Sequence, residues 1–367
     1  MSASLIGAAL SALCVLLGAA LVAGTLRDIF LSVIVPRPSS APFRPSSFIS
    51  RRGWQLWRRL AHRFNDAGRR EEFLGIFAPA MLVALSVIWL GALVVGYGTM
   101  FYGLRDQTRE LHSYGDALYF AGTTALTIGY GDVVPTGPAT RVLSIIAGAT
   151  GFGVFAVVTT FLFAIFGSFQ SREAFIITFG NRSGAPPSAV DAILGAAKLG
   201  TLDRVLEIGE SAQVWMAQVL ETHLAYPVLI FFRSTHDGLS WVGTLGGLLD
   251  SATLVLTTLD HPQSGDAALL LRLGRHVVDD ISDYFDLVDT GATGIERSEF
   301  YQAYETFRAA GLRLRNRDAA WDDFSRTRAG YASRLNQMAT FLSIPPQQWV
   351  SDRSLLIARR RPILPVA

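Results

Sequence analysis

The chain has 367 residues, of which 50 % are hydrophobic and 17 % charged, and its 32 basic and 30 acidic side chains leave a formal net charge of +2. This composition fits a membrane protein with a sizeable water-facing part, because the second half carries ordinary charged, helix-like sequence. One cysteine, Cys14, set in an apolar run, excludes an internal disulfide framework.

Residues 5–26, extending toward Val35, run for about 22 residues before the first charge, enough to cross a hydrocarbon layer of roughly 30 Å. No lysine or arginine precedes Arg27, so the basic start of a cleaved signal peptide is missing and a retained span is expected. The following loop carries Arg37, Arg44, Arg51, Arg52, Arg58, Arg59, Arg63, Arg69 and Arg70 against one acid, Asp66, which places it in the cytoplasm and the amino terminus outside. Within the loop, Trp54 and Trp57 stand among Arg51, Arg52, Arg58 and Arg59, a pattern suited to a helix in the headgroup region over anionic lipids. Tryptophans beside two spans find their nearest partner in the bilayer, which argues against nucleic acid.

Residues 76–102 form the second expected span, with Pro79 in its first turn, where a missing amide costs little. An external turret over 104–113 leads to a helix at 114–126 that is too short to cross and is therefore expected to be re-entrant. Residues 142–169 form a third span, free of charge along its length.

Between the short helix and the third span stands Thr127-Ile128-Gly129-Tyr130-Gly131-Asp132. The stretch 119–135, YFAGTTALTIGYGDVVP, resembles the pore loop of tetrameric potassium channels, with Ile128 a mild change from the valine of the TVGYG filter. That resemblance implies a filter in which backbone carbonyls of residues 127–131 replace the hydration shell of K⁺, the one metal ion expected. The residue types suit the task. Turning neighbouring carbonyls the same way needs positions that tolerate positive φ, which fits Gly129 and Gly131. Thr127 would add its hydroxyl at the inner end, Ile128 and Tyr130 would point into the surrounding protein, and Asp132 would make the outer mouth attractive to cations. Some relatives buttress the filter with a pore-helix glutamate. Here that stretch reads Gly122-Thr123-Thr124, so Asp132 needs another partner, and Tyr119 is the candidate.

Gly148, Gly151 and Gly153 cluster in the third span. Similar channels carry a hinge glycine about twenty residues past the filter, where Gly151 falls; the alternative is close packing through small residues. Val158, Thr159 and Phe163, one to two turns farther, are the candidates for an inner gate. No four-helix voltage sensor precedes the pore pair.

Beyond residue 170, apolar residues recur at helical spacing in 188–200, 202–224, 238–259, 267–287, 297–310 and 317–342, with glycines and prolines at the breaks. No dinucleotide-binding fingerprint follows a strand. Asp289, Gly291, Thr293 and Gly294 match a calcium loop only faintly, and His223, His236, His261 and His276 lack ligand spacing.

The expected fold is an all-α membrane protein: an amino-terminal span (1–36), a basic cytoplasmic linker (37–72), a pore domain of outer helix, re-entrant pore helix, filter and inner helix (73–170), and an all-α cytosolic domain (171–367). The expected function is a homotetrameric potassium channel of the cell membrane, multi-pass, gated by an unknown ligand or protein acting on the cytosolic domain. No enzyme constellation and no cofactor is expected. The alternatives are a non-conducting receptor or scaffold built on a pore-like fold, and a poorly selective cation channel.

Overall fold

The computed structural model describes residues 2–35, 45–260, 265–288, 294–345 and Trp349, with the backbone alone described at 2–4 and 202–209. Two compact units result, Met1–Phe166 and Gly167–Ala367.

In the first unit, α1 (Ser2–Ile29) runs on through one π-helical turn, Phe30–Ile34. Arg37 and Arg44 of the basic loop lie outside the described residues. The outer helix α3 (Ala67–Gly103) starts well before residue 76, because the Asp66 carboxylate caps it by accepting from the Arg69 amide at 2.8 Å. Pro79 consequently lies inside a helix of 37 residues and not in its first turn. Small residues let α1 and α3 approach closely: a β-carbon on Gly18 would stand 2.4 Å from the Gly96 carbonyl oxygen, and one on Gly103 2.7 Å from that of Ser11. At the far end of this contact sits Asp28, 4 % exposed. Its carboxylate accepts from Trp89 Nε1 at 2.9 Å and from Ser46 Oγ at 3.0 Å, joining α1, α3 and the first turn of α2 (Pro45–Ala61).

Helical periodicity turns the tryptophans of α2 toward α3. Trp54 is buried with its ring 5.1 Å from that of Phe77, and Trp57 stacks on Phe73 at 4.6 Å while donating to its carbonyl. The two tryptophans expected in the lipid headgroups are therefore packed against protein. Phe48, Arg52, Leu56 and Arg59 occupy the outward face instead.

After α3, β1 (Thr108–Arg109) pairs antiparallel with β2 (Val134–Pro135), with Thr108 opposite Pro135. Between them α4 (Tyr114–Ala125) packs on α3 in a core that includes Leu93, Tyr97, Phe101, Phe120 and Leu143. The inner helix α5 (Pro138–Ser183) is unbroken over 46 residues and runs past residue 169, where the apolar pattern ends.

The second unit adds α6 (Ala189–Lys198), α7 (Leu202–Ala225), α8 (Trp241–Thr257), α9 (Gly265–Tyr284), α10 (Arg297–Ala309), α11 (Arg317–Ala329) and α12 (Ala332–Phe341). Helix α8 is buried along nearly its whole length and forms the centre of the unit. The single helix expected over 317–342 is two, because Tyr331 is drawn into the core, where its hydroxyl donates to Asp250 at 2.7 Å and meets Thr253 Oγ1 at 3.0 Å. Arg328 bonds the same carboxylate at 2.8 Å, and both members of this pair are fully buried. Asp289, Gly291 and Thr293 of the faint calcium loop, and His261, lie outside the described residues. Among the described residues, no group of three or more histidines, cysteines or acids is placed to hold a metal ion.

Removing one partner of a buried ion pair strands the other. Arg328→Met should cost about 3–5 kcal/mol of stability, and adding Asp250→Leu should restore most of it. Thermal unfolding of the full chain in detergent checks this; equal losses in the single and double variants would contradict the assignment.

Candidate functional site

The site is built at the carboxyl end of α4. Its start is fixed by a capping box, with the Asp116 amide donating to Ser113 Oγ at 3.2 Å and the Ser113 amide to the Asp116 carboxylate at 2.7 Å. Twelve residues make a helix of about 18 Å, which ends in mid-layer if it enters from one side. Its carbonyls then hold the segment that follows. Leu126 N donates to Gly122 O at 2.9 Å, Thr127 N to Thr124 O at 3.0 Å, and Ile128 N and Gly129 N both to Thr123 O at 2.8 and 3.3 Å.

Beyond that point every second residue is left-handed: φ is +57° at Thr127, +58° at Gly129 and +80° at Gly131. In an extended segment of uniform hand successive carbonyls alternate in direction; reversing the hand at alternate residues turns them to one side. The glycines meet this demand without strain. A β-carbon at Gly129 or Gly131 would touch nothing within 4 Å, so glycine is required there by conformation and not by space. Thr127 is the residue that sequence reasoning missed in this respect. A β-branched side chain at positive φ costs on the order of 1–3 kcal/mol, and nothing in its residue type announces it.

The side chains of residues 126–132 are all exposed in the single chain. The Tyr130 ring lies parallel to that of Tyr119, with centroids 6.5 Å apart and an interplanar angle of 3°. Asp132 accepts from the Val133 amide at 3.1 Å and also engages the Tyr119 hydroxyl, the partner suggested by the missing glutamate.

Helix α5 closes against this assembly. Tyr97 of α3 and Thr150 of α5 share a hydrogen bond of 2.8 Å. One residue on, Gly151 presses on the end of α4, where an added β-carbon would stand 1.9 Å from the Ala125 carbonyl oxygen. Gly148 faces Thr124 O at an ordinary 3.6 Å, and Gly153 has nothing within 4 Å, so the three glycines sit in different surroundings. Farther along, Val158 and Thr159 are half-buried, Thr159 Oγ1 donates to the Phe155 carbonyl at 2.9 Å, and Phe163 is 75 % exposed. Phe152 and Phe155, also exposed, share this face. The signal for them was present: positions 152, 155, 159 and 163 follow the i, i+3, i+7, i+11 spacing of one helix face.

Residues 81–168 match a family model described as an ion channel. The chain is 22 % identical over 193 residues to the uncharacterized membrane protein YdjJ of Bacillus subtilis, covering 51 % of this chain and 56 % of that one. It is 40 % identical over 74 residues to two-pore potassium channel 2 of Arabidopsis thaliana and 35 % over 78 to two pore potassium channel c of Oryza sativa. These shorter matches cover 19 and 20 % of this chain and 16 and 17 % of the plant proteins. No solved structure matches. Among the described residues, three helices are long and apolar enough to cross a membrane. The chain is thus an all-α, multi-pass membrane protein, and its segment 81–168 belongs to the pore-loop ion channels to which residues 119–135 pointed.

Gly151→Ala should lower the thermal midpoint of the detergent-solubilised protein by several degrees, since the new methyl must displace the end of α4. Gly153→Ala, made in open space within a helix, should leave it unchanged or raise it. Identical behaviour of the two variants would count against a packing role for Gly151.

Proposed function

We propose that four copies of this chain form a potassium-selective channel, with the carbonyls of Thr127, Ile128, Gly129, Tyr130 and Gly131 lining the filter and Asp132 at its outer mouth. The observation that carries this reading is the alternation of positive φ at residues 127, 129 and 131 within Thr-Ile-Gly-Tyr-Gly at the end of a helix of re-entrant length. One chain supplies one filter strand, so an axis shared by four chains completes the coordination, and the exposed side chains around it become subunit contacts. The named likeness to plant potassium channels supports the ion assignment.

The exposed face of α5 lines the cavity beneath the filter, with Phe152 and Phe155 above and Val158, Thr159 and Phe163 as the gate; four converging phenylalanines form an apolar constriction that closes by dewetting. Gly148 and Gly153 leave room for α5 to bend on either side of the Gly151 contact. The amino terminus and the filter mouth face outward, with the arginine-rich linker and the second unit in the cytoplasm of a cell-membrane protein. The arginines of α2, with Phe48 and Leu56 in place of the tryptophans, meet anionic lipid headgroups. The helical unit regulates opening, and its ligand or protein partner is of unknown class. The chain works as a passive pore, without cofactor or catalysis.

The test is the reversal potential of the purified protein in a planar bilayer under a potassium gradient opposed by sodium. Reversal near the potassium equilibrium potential is expected. Tyr130→Asp should shift it toward zero by removing the potassium preference; a wild-type-like reversal in that variant would refute the filter assignment.

A further inference from the structure

Arg172 lies on α5 nine positions past Phe163, roughly 13 Å along the same helix, at a point where a charged side chain belongs in water. It is instead 3 % exposed. Each of its five N–H groups has an acceptor. Nε and Nη2 donate to Glu173 Oε1 at 3.2 and 3.0 Å, Nη2 also to the Phe232 carbonyl at 2.8 Å, and Nη1 to the Leu229 carbonyl at 3.1 Å and to His223 Nε2 at 3.3 Å.

The histidine is held in one tautomer. Its Nδ1 lies 2.7 Å from the Val219 carbonyl, which can only accept, so the proton is on Nδ1 and Nε2 is the free acceptor. Burial first, and the adjacent Arg172 second, push its pKa down to about 3, which keeps it neutral and accepting. The other carboxylate oxygen of Glu173 accepts from Ser234 Oγ at 2.5 Å, and Trp215 Nε1 donates to the Arg172 carbonyl at 3.2 Å.

Apart from Glu173, its neighbour on α5, these partners lie on α7 or on residues 229–234, the turn between α7 and α8. That turn reaches the end of the unit as well. Arg233 Nη2 donates to the Leu342 carbonyl at 2.6 Å, just beyond α12, and Phe231 lies 6.2 Å from Phe341 and 6.3 Å from Phe285 of the α9 end. A guanidinium satisfied five-fold has few alternative arrangements, so displacing the turn must either carry α5 along or strand a buried charge.

We propose that Arg172, with Glu173, His223 and Ser234, is the positioning cluster through which the helical unit sets the gate on α5. The proposal rests on the channel reading above. These residues do not touch the ion. They fix the helix that carries Phe163 to a turn on which α7, α9 and the α12 end converge, so a ligand or partner that shifts those helices acts on the pore through this clamp.

Single-channel recording of the full chain in planar bilayers tests it, comparing wild type with Arg172→Lys, Glu173→Gln and Ser234→Ala. Lysine keeps the charge but offers three donors from one point and cannot reproduce the fork. Arg172→Lys and Glu173→Gln should change open probability about tenfold, a common size for coupling between sites, with unitary conductance and reversal potential unchanged. Ser234→Ala, which removes one bond and leaves the ion pair, should move open probability less and in the same direction. It carries the test if the other two variants fail to assemble. Tyr331→Phe, in the same unit but away from α5, is the control: it should lower thermal stability without moving open probability. Wild-type current with unaltered open probability in the cluster variants overturns the clamp and leaves the channel standing. Absence of potassium current in wild type and all variants overturns both, whereas current in a variant where wild type is silent supports the clamp.

Discussion

Positive φ at Thr127, Gly129 and Gly131 takes the backbone between α4 and β2 out of both helix and sheet, and the surrounding elements hold it there. A segment of this kind cannot satisfy its amides by a ladder of its own. The last turn of α4 supplies the first acceptors, with Thr123 O serving two amides at once. The β1–β2 pairing closes the far side, and Thr140 Oγ1, at 2.8 Å from the Gln107 carbonyl, ties the start of α5 to the same turn. Gly151 then follows as a consequence, because α5 can support α4 only if it comes within backbone distance of Ala125.

The same constraint explains why so much apolar surface is uncovered. Tyr130 is 71 % exposed, Phe155 69 % and Phe163 75 %, and they lie on the 127–132 segment and along one face of α5. Large aromatic side chains are rarely left open in this number without a partner. Lipid covers such groups on the outside of a bundle, as it would the leucines of α1, but the 127–131 segment turned to lipid would expose backbone that nothing there can hydrogen-bond. Burial against further protein would answer both demands together, covering the aromatics and shielding the backbone.

Much of this was legible in the sequence because it rests on local rules. Hydropathy located three helices, the 127–132 motif located the pore segment, and Ser188 marked the start of α6 through its bond to the Asp191 amide at 3.1 Å. What escaped depends on partners distant along the chain. Trp54 and Trp57 fit an interfacial helix by composition, yet α3 extends far enough to cover them, and the length of α3 was set by a cap at Asp66 that hydropathy does not register. Asp28 interrupts an apolar run and is accommodated only because Trp89 and Ser46 converge on it. Tyr331 breaks a helix that periodicity would continue, since Asp250, 81 residues away, binds its hydroxyl.

The length of α5 follows from the same logic. Hydropathy stops the inner helix at residue 169 because Arg172 and Glu173 follow, and charges ordinarily mark the return to water. The helix continues to Ser183, about 69 Å in all for its 46 residues, because those two charges are neutralised by each other and by carbonyls of one turn. Removing the turn would strip the guanidinium of two carbonyl acceptors and the carboxylate of its serine, leaving the continuation of α5 held to α7 by Trp215, which bonds the Arg172 carbonyl and stacks on Phe175 at 4.8 Å, and by His223. The burial of Arg172 and the helical continuation of residues 170–183 are therefore linked, since the carbonyls of Leu229 and Phe232 supply the acceptors that let a guanidinium sit within a packed helix.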